Sequence, residues 1–415
     1  MTTRAATWTE TTIGEAYTFT SKPRGLPMPK QIPFIPMEAL TERGDHIDDN
    51  RVKFVESVSS GTYVEKGDFV LAKITPSFEN GKQGFIEIDS PFAYATTEVI
   101  PIQPRNGVSN KYFLAYWLRQ SDIRSVLAGK MEGTTGRQRL SKSVLEKTTI
   151  SLPPISEQES IAHILTVIQI AISEQENLIA KLRELKRSMM QHLFTHGTRG
   201  EKTKMTEIGE MPESWSIFSV GELCDVKGGK RLPKGENLTS ENTGLPYIRV
   251  TDLNDNTVDQ SGLLYLTPEI QKQISRYTIS TKDVYISIAG SIGFVGIIPA
   301  ALDGANLTEN AAKLCIRSVA TVNQRYLMYW LSGKTVQKDI KSQTVKNAQP
   351  KLALARIQQL PLVLPTLEEQ KKIAFVIDSI QERLKLAEER MVLCESLFKT
   401  LLHELMGGER RLNLL

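Results

Sequence analysis

The sequence predicts an α+β protein: two mixed α/β domains separated by two long helices that form an antiparallel coiled coil, with pseudo-twofold internal symmetry. Three observations predict it. The stretch LPPISEQESIAHIL, from Leu152, returns as LPTLEEQKKIAFVI from Leu364, 212 positions on. After each stretch comes a long span free of Gly and Pro, whose apolar residues recur on average every 3.5 positions. Before each lies a segment in which short β-rich runs alternate with Gly- and Pro-containing turns.

Residues 1–150 read as the first head. GDFVLAKI has the composition of a buried strand, and KYFLAYWLRQSDIRSVL reads as a helix with an aromatic face. Trp8 and Trp117 are expected core anchors. Residues 151–197 read as the first long helix. LPP fixes an extended approach, Ser156 is the expected N-cap with Glu157 and Glu159 in the first turn, and Gly197 stops the helix. Its seam runs through Ile161, Leu165, Ile168, Ile172, Ile179, Leu182, Met189 and Leu193, interrupted by Gln175 and Lys186, polar residues of the kind that fix register. From Ile161 to Leu193 is about 48 Å at a rise of roughly 1.5 Å per residue. Average globular helices are only about three turns long, so packing on one domain's core accounts poorly for this one.

Residues 198–210 read as a linker, and 211–362 as the second head. SWSIFSVGE answers TWTETTIGE, pairing Trp215 with Trp8 and Gly221 with Gly14. LPYIRVTDL answers IPFIPMEAL, setting Pro246 against Pro33, and NQRYLMYWL answers NKYFLAYWL, setting Asn323, Tyr329 and Trp330 against Asn110, Tyr116 and Trp117. The order is kept while the offset drifts by a few residues, as loop insertions produce. Residues 363–408 read as the second long helix, with its seam at Ile373, Ile377, Ile380, Leu384, Ala387, Met391, Cys394, Phe398, Leu401 and Leu405, Glu368 and Glu369 near its positive end, and Gly407–Gly408 as its stop. Residues 409–415 form a C-terminal tail. Two such helices with a head before each pair antiparallel, because the chain leaves one helix, builds the next head at the far end and returns. About 48 Å exceeds the roughly 34 Å of one DNA turn, so two heads so spaced suit two short sites separated by an untouched gap.

Charge alone decides little: 51 basic against 47 acidic side chains give +4. Its placement says more. CDVKGGKRLPKG gathers Lys227, Lys230, Arg231 and Lys234 in one loop, and the matching loop of the first copy carries Lys22, Arg24 and Lys30. GTTGRQRLSKS adds Arg137, Arg139 and Lys142, answered in the second copy by Lys346 and Lys351, and Gln138, Gln343 and Arg249 are further candidates for base readout. Positive, Ser/Thr-containing loops at equivalent places suit phosphates, and Arg and Gln suit base edges. For any one of these residues a solvated surface role is the alternative. No G-x-x-x-x-G-K-[ST], no H-E-x-x-H and no Cys-x-x-Cys is present; three separate cysteines and no signal-like N-terminus suggest a cytoplasmic protein that carries no chemistry of its own. A coiled-coil scaffold that joins partner subunits without reading DNA is the rival, and it predicts no steep loss of DNA affinity with salt.

The two LPPISEQ and LPTLEEQ stretches, the GTTGRQRLSKSVLEKTTIS segment, the WSIFSVGELCDVKGGKRLPKG and GLPYIRVTDL runs and the paired helices together resemble the specificity subunits of type I restriction–modification systems. The resemblance covers nearly the whole chain. It implies that the heads are target recognition domains, each reading half of a bipartite double-stranded DNA sequence, and that the helices are the spacer between them. It implies two DNA methyltransferase (modification) subunits and two restriction/translocase subunits as partners, with S-adenosylmethionine, ATP and Mg bound there and no cofactor, metal or catalytic residue in this chain, and no membrane. The first copy has IPFIPMEAL where Arg249 and Asp252 stand in the second, and the second has TVKNAQPKL in place of the Gly-Arg-Gln segment, so the base-reading residues differ between halves.

Overall fold

The computed structural model describes residues 8–27, 29–48, 51–58, 60–134, 136–254, 256–344 and 351–412. Helices Ile155–His196 and Leu367–Met406 are its longest elements, 42 and 40 residues, and each gives one half to each of two compact units. The first unit comprises Met1–Asn177 with Glu388–Leu415, the second Leu178–Ala387.

In the first unit a five-stranded sheet runs in the order Tyr17–Phe19, Val99–Pro104, Phe69–Ala72, Gln83–Ile86, His46–Ile47. Phe69–Ala72 is the buried strand expected from GDFVLAKI, with all four residues inside. A second, four-stranded sheet runs Val52–Phe54, Gln31–Ile35, Phe92–Ala95, Thr62–Glu65. Strand Thr9–Thr12 pairs antiparallel with Thr149–Leu152 and so returns the head to the foot of the first long helix. The aromatic segment forms two helices rather than one, Lys111–Trp117 and Ser121–Ala128. Asn110 caps the first, its side chain accepting from the Tyr112 and Phe113 N–H groups, and Gln120 turns to extended geometry before Ser121.

The second unit repeats this plan. Ala311–Ile316 lies between Cys224–Gly228 and Val284–Ser287 in a four-stranded sheet, and Leu264–Tyr265, Pro246–Ile248, Asn306–Leu307 form a three-stranded one. The parallel pairing of Phe34 with Tyr94 recurs as Tyr247 with Asn306. Asn323 caps Gln324–Ser332 as Asn110 does its counterpart, and extended Gly333 separates that helix from Lys334–Thr344, so here too the aromatic segment forms two helices. Trp117, Trp215 and Trp330 are buried, and Trp8 is half-buried. Residues 198–210, expected as a linker, contain strand Thr203–Thr206, which pairs with Gly209–Pro212 as a hairpin.

Within each unit the half-helices run antiparallel. In the first, Tyr116 bonds Thr166 at 2.9 Å with its ring 6.0 Å from that of Phe398, while nearer the start of the same helix Glu157 receives Arg411. In the second, Lys186 donates to Gln381 at 2.7 Å, and beyond the helix end the Thr198 N–H donates to Glu369 at 2.9 Å. Every expected seam residue is inside; only Ile168, Met189, Met391, Cys394 and Leu401 are half-buried rather than buried. Each buried Leu or Ile contributes about 1.5–3 kcal/mol. Lys186 is satisfied by Gln381 and lies 5.8 Å over the Tyr329 ring, whereas Gln175 keeps a buried Oε1 without a hydrogen-bond partner.

The repeated stretch owes its residues to its packing. The first helix starts at Ile155, where the Pro154 carbonyl accepts the Glu157 and Gln158 N–H groups, so Ser156 lies inside the first turn and is not the N-cap. Buried Gln158 donates to the Pro153 and Val108 carbonyls and accepts from the Asn110 N–H. Gln370 does the same with Pro365, Thr321 and Asn323. The preceding acids, Glu157 and Glu369, are buried too and are met by Arg411 and Arg199, each from just beyond the end of the other long helix. One Gln thus fixes each helix to its head, and one Glu fixes it to a helix end. Gly197 and Gly408 follow those ends with φ of +66° and +71°, the left-handed conformation a helix stop requires.

Candidate nucleic-acid interface

The predicted basic residues fall into three groups by what already holds them. Lys22, Arg24 and Lys30 lie exposed on the loop before Gln31–Ile35, with the Lys22 ammonium 5.7 Å over the Tyr94 ring. In the second unit exposed Lys230 lies 5.6 Å over Tyr277, and its carbonyl accepts from the Tyr247 hydroxyl at 2.9 Å. Lys227 and Lys234 are also exposed, on and after strand Cys224–Gly228. Both units therefore set a lysine on an aromatic ring beside the smaller sheet. Seated this way, the cation keeps a solvent-facing side with which to meet a phosphate.

A second group is committed to acids. Arg139 makes two bonds to Glu98, at 2.9 and 2.8 Å, and this guanidinium holds the Glu98 carboxyl below the usual range. Arg231 bonds Glu309 at 2.7 Å, and Lys142 lies 3.6 Å from Glu146 and 4.9 Å over the Phe19 ring. Arg249 is half-buried. It bonds buried Asp252 through Nε and Nη2 and also reaches the Gly262 carbonyl, capping the turn Val250–Asp252. Its geometry is that of a structural clamp.

The third group sits on a hairpin. Strands Glu132–Thr134 and Arg137–Arg139 pair, and the hairpin is mounted on Thr75 through Thr75 N–H to the Gln138 carbonyl (3.0 Å) and Gln138 N–H to Thr75 Oγ1 (3.1 Å). Arg137 is exposed near its tip and Gln138 is half-buried. In the second unit Lys351 bridges to Ala289, and the Leu352 N–H donates to Ile288 as the Leu140 N–H donates to Lys73, so the mount is the same. Lys346 and the side chain of Gln343 lie outside the described residues.

Sequence reasoning passed over Lys53, whose ammonium is 3.8 Å over the Phe34 ring, and its neighbours Val52 and Phe54, which are 55% and 63% exposed. The alternation of charged and apolar residues in RVKF was the available signal. Among the described residues no group of three His, Cys, Asp or Glu is placed to hold a metal, and no helix is long and apolar enough to cross a membrane.

Comparison with known proteins adds the family. The pattern of the type I restriction modification DNA specificity domain matches twice, over residues 12–184 and 212–391. The MjaVIII type I restriction enzyme specificity subunit of Methanocaldococcus jannaschii is 24% identical over 365 residues, 86% of this chain and 83% of that protein. The crystal structure of the type I restriction–modification S subunit from M. genitalium shares the fold with a TM-score of 0.62 at 16% identity, covering 100% of this chain and 99% of its own. A chain from a structure of type I R-M complex assembly and conformational transition aligns with a TM-score of 0.53 at 19% identity, covering 96% and 97%.

Proposed function

The chain belongs to the type I restriction modification DNA specificity domain family, and from that premise we propose that it is the DNA-reading subunit of a type I restriction–modification complex. The observation that carries the reading is the double match: one chain holds the specificity domain twice, each copy a head followed by a long helix. Each unit reads one half of a bipartite duplex sequence. Both long helices pass through both units, so their length is the covalent determinant of the separation between half-sites.

In this reading the ring-mounted Lys22 and Lys230, with Arg24, Lys30, Lys227 and Lys234, meet phosphates, and Arg137 and Gln138 approach base edges from the hairpin. Arg139, Arg231 and Arg249 act mainly by shaping the loops that carry them. The chain performs no chemistry. Two modification subunits methylate adenine with S-adenosylmethionine, and two restriction/translocase subunits supply ATP- and Mg-dependent translocation and cleavage. The outer faces of the helices suit subunit docking, because Val167, Ile170 and Leu185 on the first and Phe375, Leu393 and Leu397 on the last are exposed.

A salt series on duplex DNA tests the reading. The full chain with its modification subunits is expected to prefer one duplex sequence and to lose affinity steeply as salt rises. Equal affinity for all duplexes, or a flat salt response, contradicts it.

A further inference from the structure

Strand Val52–Phe54 forms an edge of the smaller sheet of the first unit and pairs on one side with Gln31–Ile35. All three of its residues are exposed. Outside the long helices, the other large exposed apolar residues among those described, Val108, Val126, Met205, Ile217 and Val319, stand singly in sequence; Val52 and Phe54 stand together on one face of one strand. Single exposed apolar residues are ordinary, whereas Val52 and Phe54 side by side form one contiguous apolar patch, the kind of feature that interaction sites use. The opposite face is basic: Lys53 lies over Phe34 and Lys22 over Tyr94, and those two rings are neighbours across the sheet. In the second unit the corresponding edge strand, Leu264–Tyr265, is half-buried and is covered by a bridge from Thr239. Among the described residues, one unit closes this edge while the other leaves it open.

We propose that strand Val52–Phe54 is a base-reading edge of the first unit, with Phe54 and Val52 against thymine methyl groups in the major groove and Lys22 and Lys53 on the flanking phosphates. The inference rests on the DNA-reading assignment above. The occupant is duplex DNA because the patch is apolar on one face and cationic on the other. The major groove offers that combination: its floor carries the methyl group, the apolar feature of a base edge, its walls are anionic, and its width of about 12 Å admits β structure.

The test uses the full chain with its modification subunits and a randomised duplex library. Phe54→Ala is expected to lose thymine preference at one or two positions of one half-site, with affinity for the wild-type sequence falling about tenfold. The other half-site and affinity for random duplex should stay unchanged, and Phe54→Leu should keep most of the preference. Deoxyuridine, which lacks the methyl group, should weaken wild-type binding at the same positions and leave Phe54→Ala unaffected. Lys22→Ala with Lys53→Ala should instead weaken all duplexes alike and lower the salt slope by about one per charge. If the Val52→Ala/Phe54→Ala protein selects the wild-type sequence with wild-type affinity, the inference is overturned while the DNA-reading assignment stands. If the wild type itself selects no sequence, both fall.

Discussion

At the scale of the residue, a basic side chain counts toward DNA only to the degree that its charge is uncommitted. Arg249 has the right type and sits in a loop, yet it clamps Asp252, which is 5% exposed. Arg249→Ala is expected to cost about 1–3 kcal/mol by leaving that carboxylate without its partner, read as a lower melting temperature. Neutralising Lys230 and Lys234 should leave the melting temperature in place and weaken DNA binding at low salt. Unchanged affinity and an unchanged salt slope would remove those lysines from the interface. The loops' basic character was legible in the sequence because it is compositional. Which cations are bound to acids was not, because Glu98 and Glu309 reach Arg139 and Arg231 from 41 and 78 residues away.

At the scale of the element, the long helices were the most legible part of the chain, since a heptad needs only local periodicity. Their starts were less so. A serine before an apolar run suggests a cap, but the helix begins at Ile155 because Gln158 draws the Pro153, Val108 and Asn110 backbone around it. Gln158→Ala is expected to cost roughly 1–3 kcal/mol by leaving buried backbone groups unpaired, and equilibrium unfolding in urea would show it. Gln175 makes the converse case: its Oε1 is buried without a partner, so Gln175→Leu should raise stability by about 1 kcal/mol. A loss of stability there would mean that the amide serves the seam. The aromatic helices broke in two for reasons that spacing does not carry, since an extended Gln120 or Gly333 leaves no mark on apolar periodicity. The hairpin at Thr203–Pro212 escaped notice because its strands are only four residues each.

At the scale of the whole molecule, duplication was visible because both copies kept their landmark tryptophans, asparagines and the LPPISEQ/LPTLEEQ stretch. The reason for that stretch emerges only in three dimensions, where Gln158 and Gln370 join helix to head and Glu157 and Glu369 meet Arg411 and Arg199. Leu384→Pro removes a backbone donor and kinks the helix in the middle of a buried seam, so full-size complexes should disappear in analytical ultracentrifugation. One chain carrying two readers, with half-sites separated according to helix length, is the central proposal. Its most direct test inserts one matched heptad into both long helices, about 10 Å of added rise, and maps adenine methylation by the assembled complex. The same two sequence blocks with a longer gap between them are predicted; an unaltered gap, or a single uninterrupted block from either protein, would contradict the account.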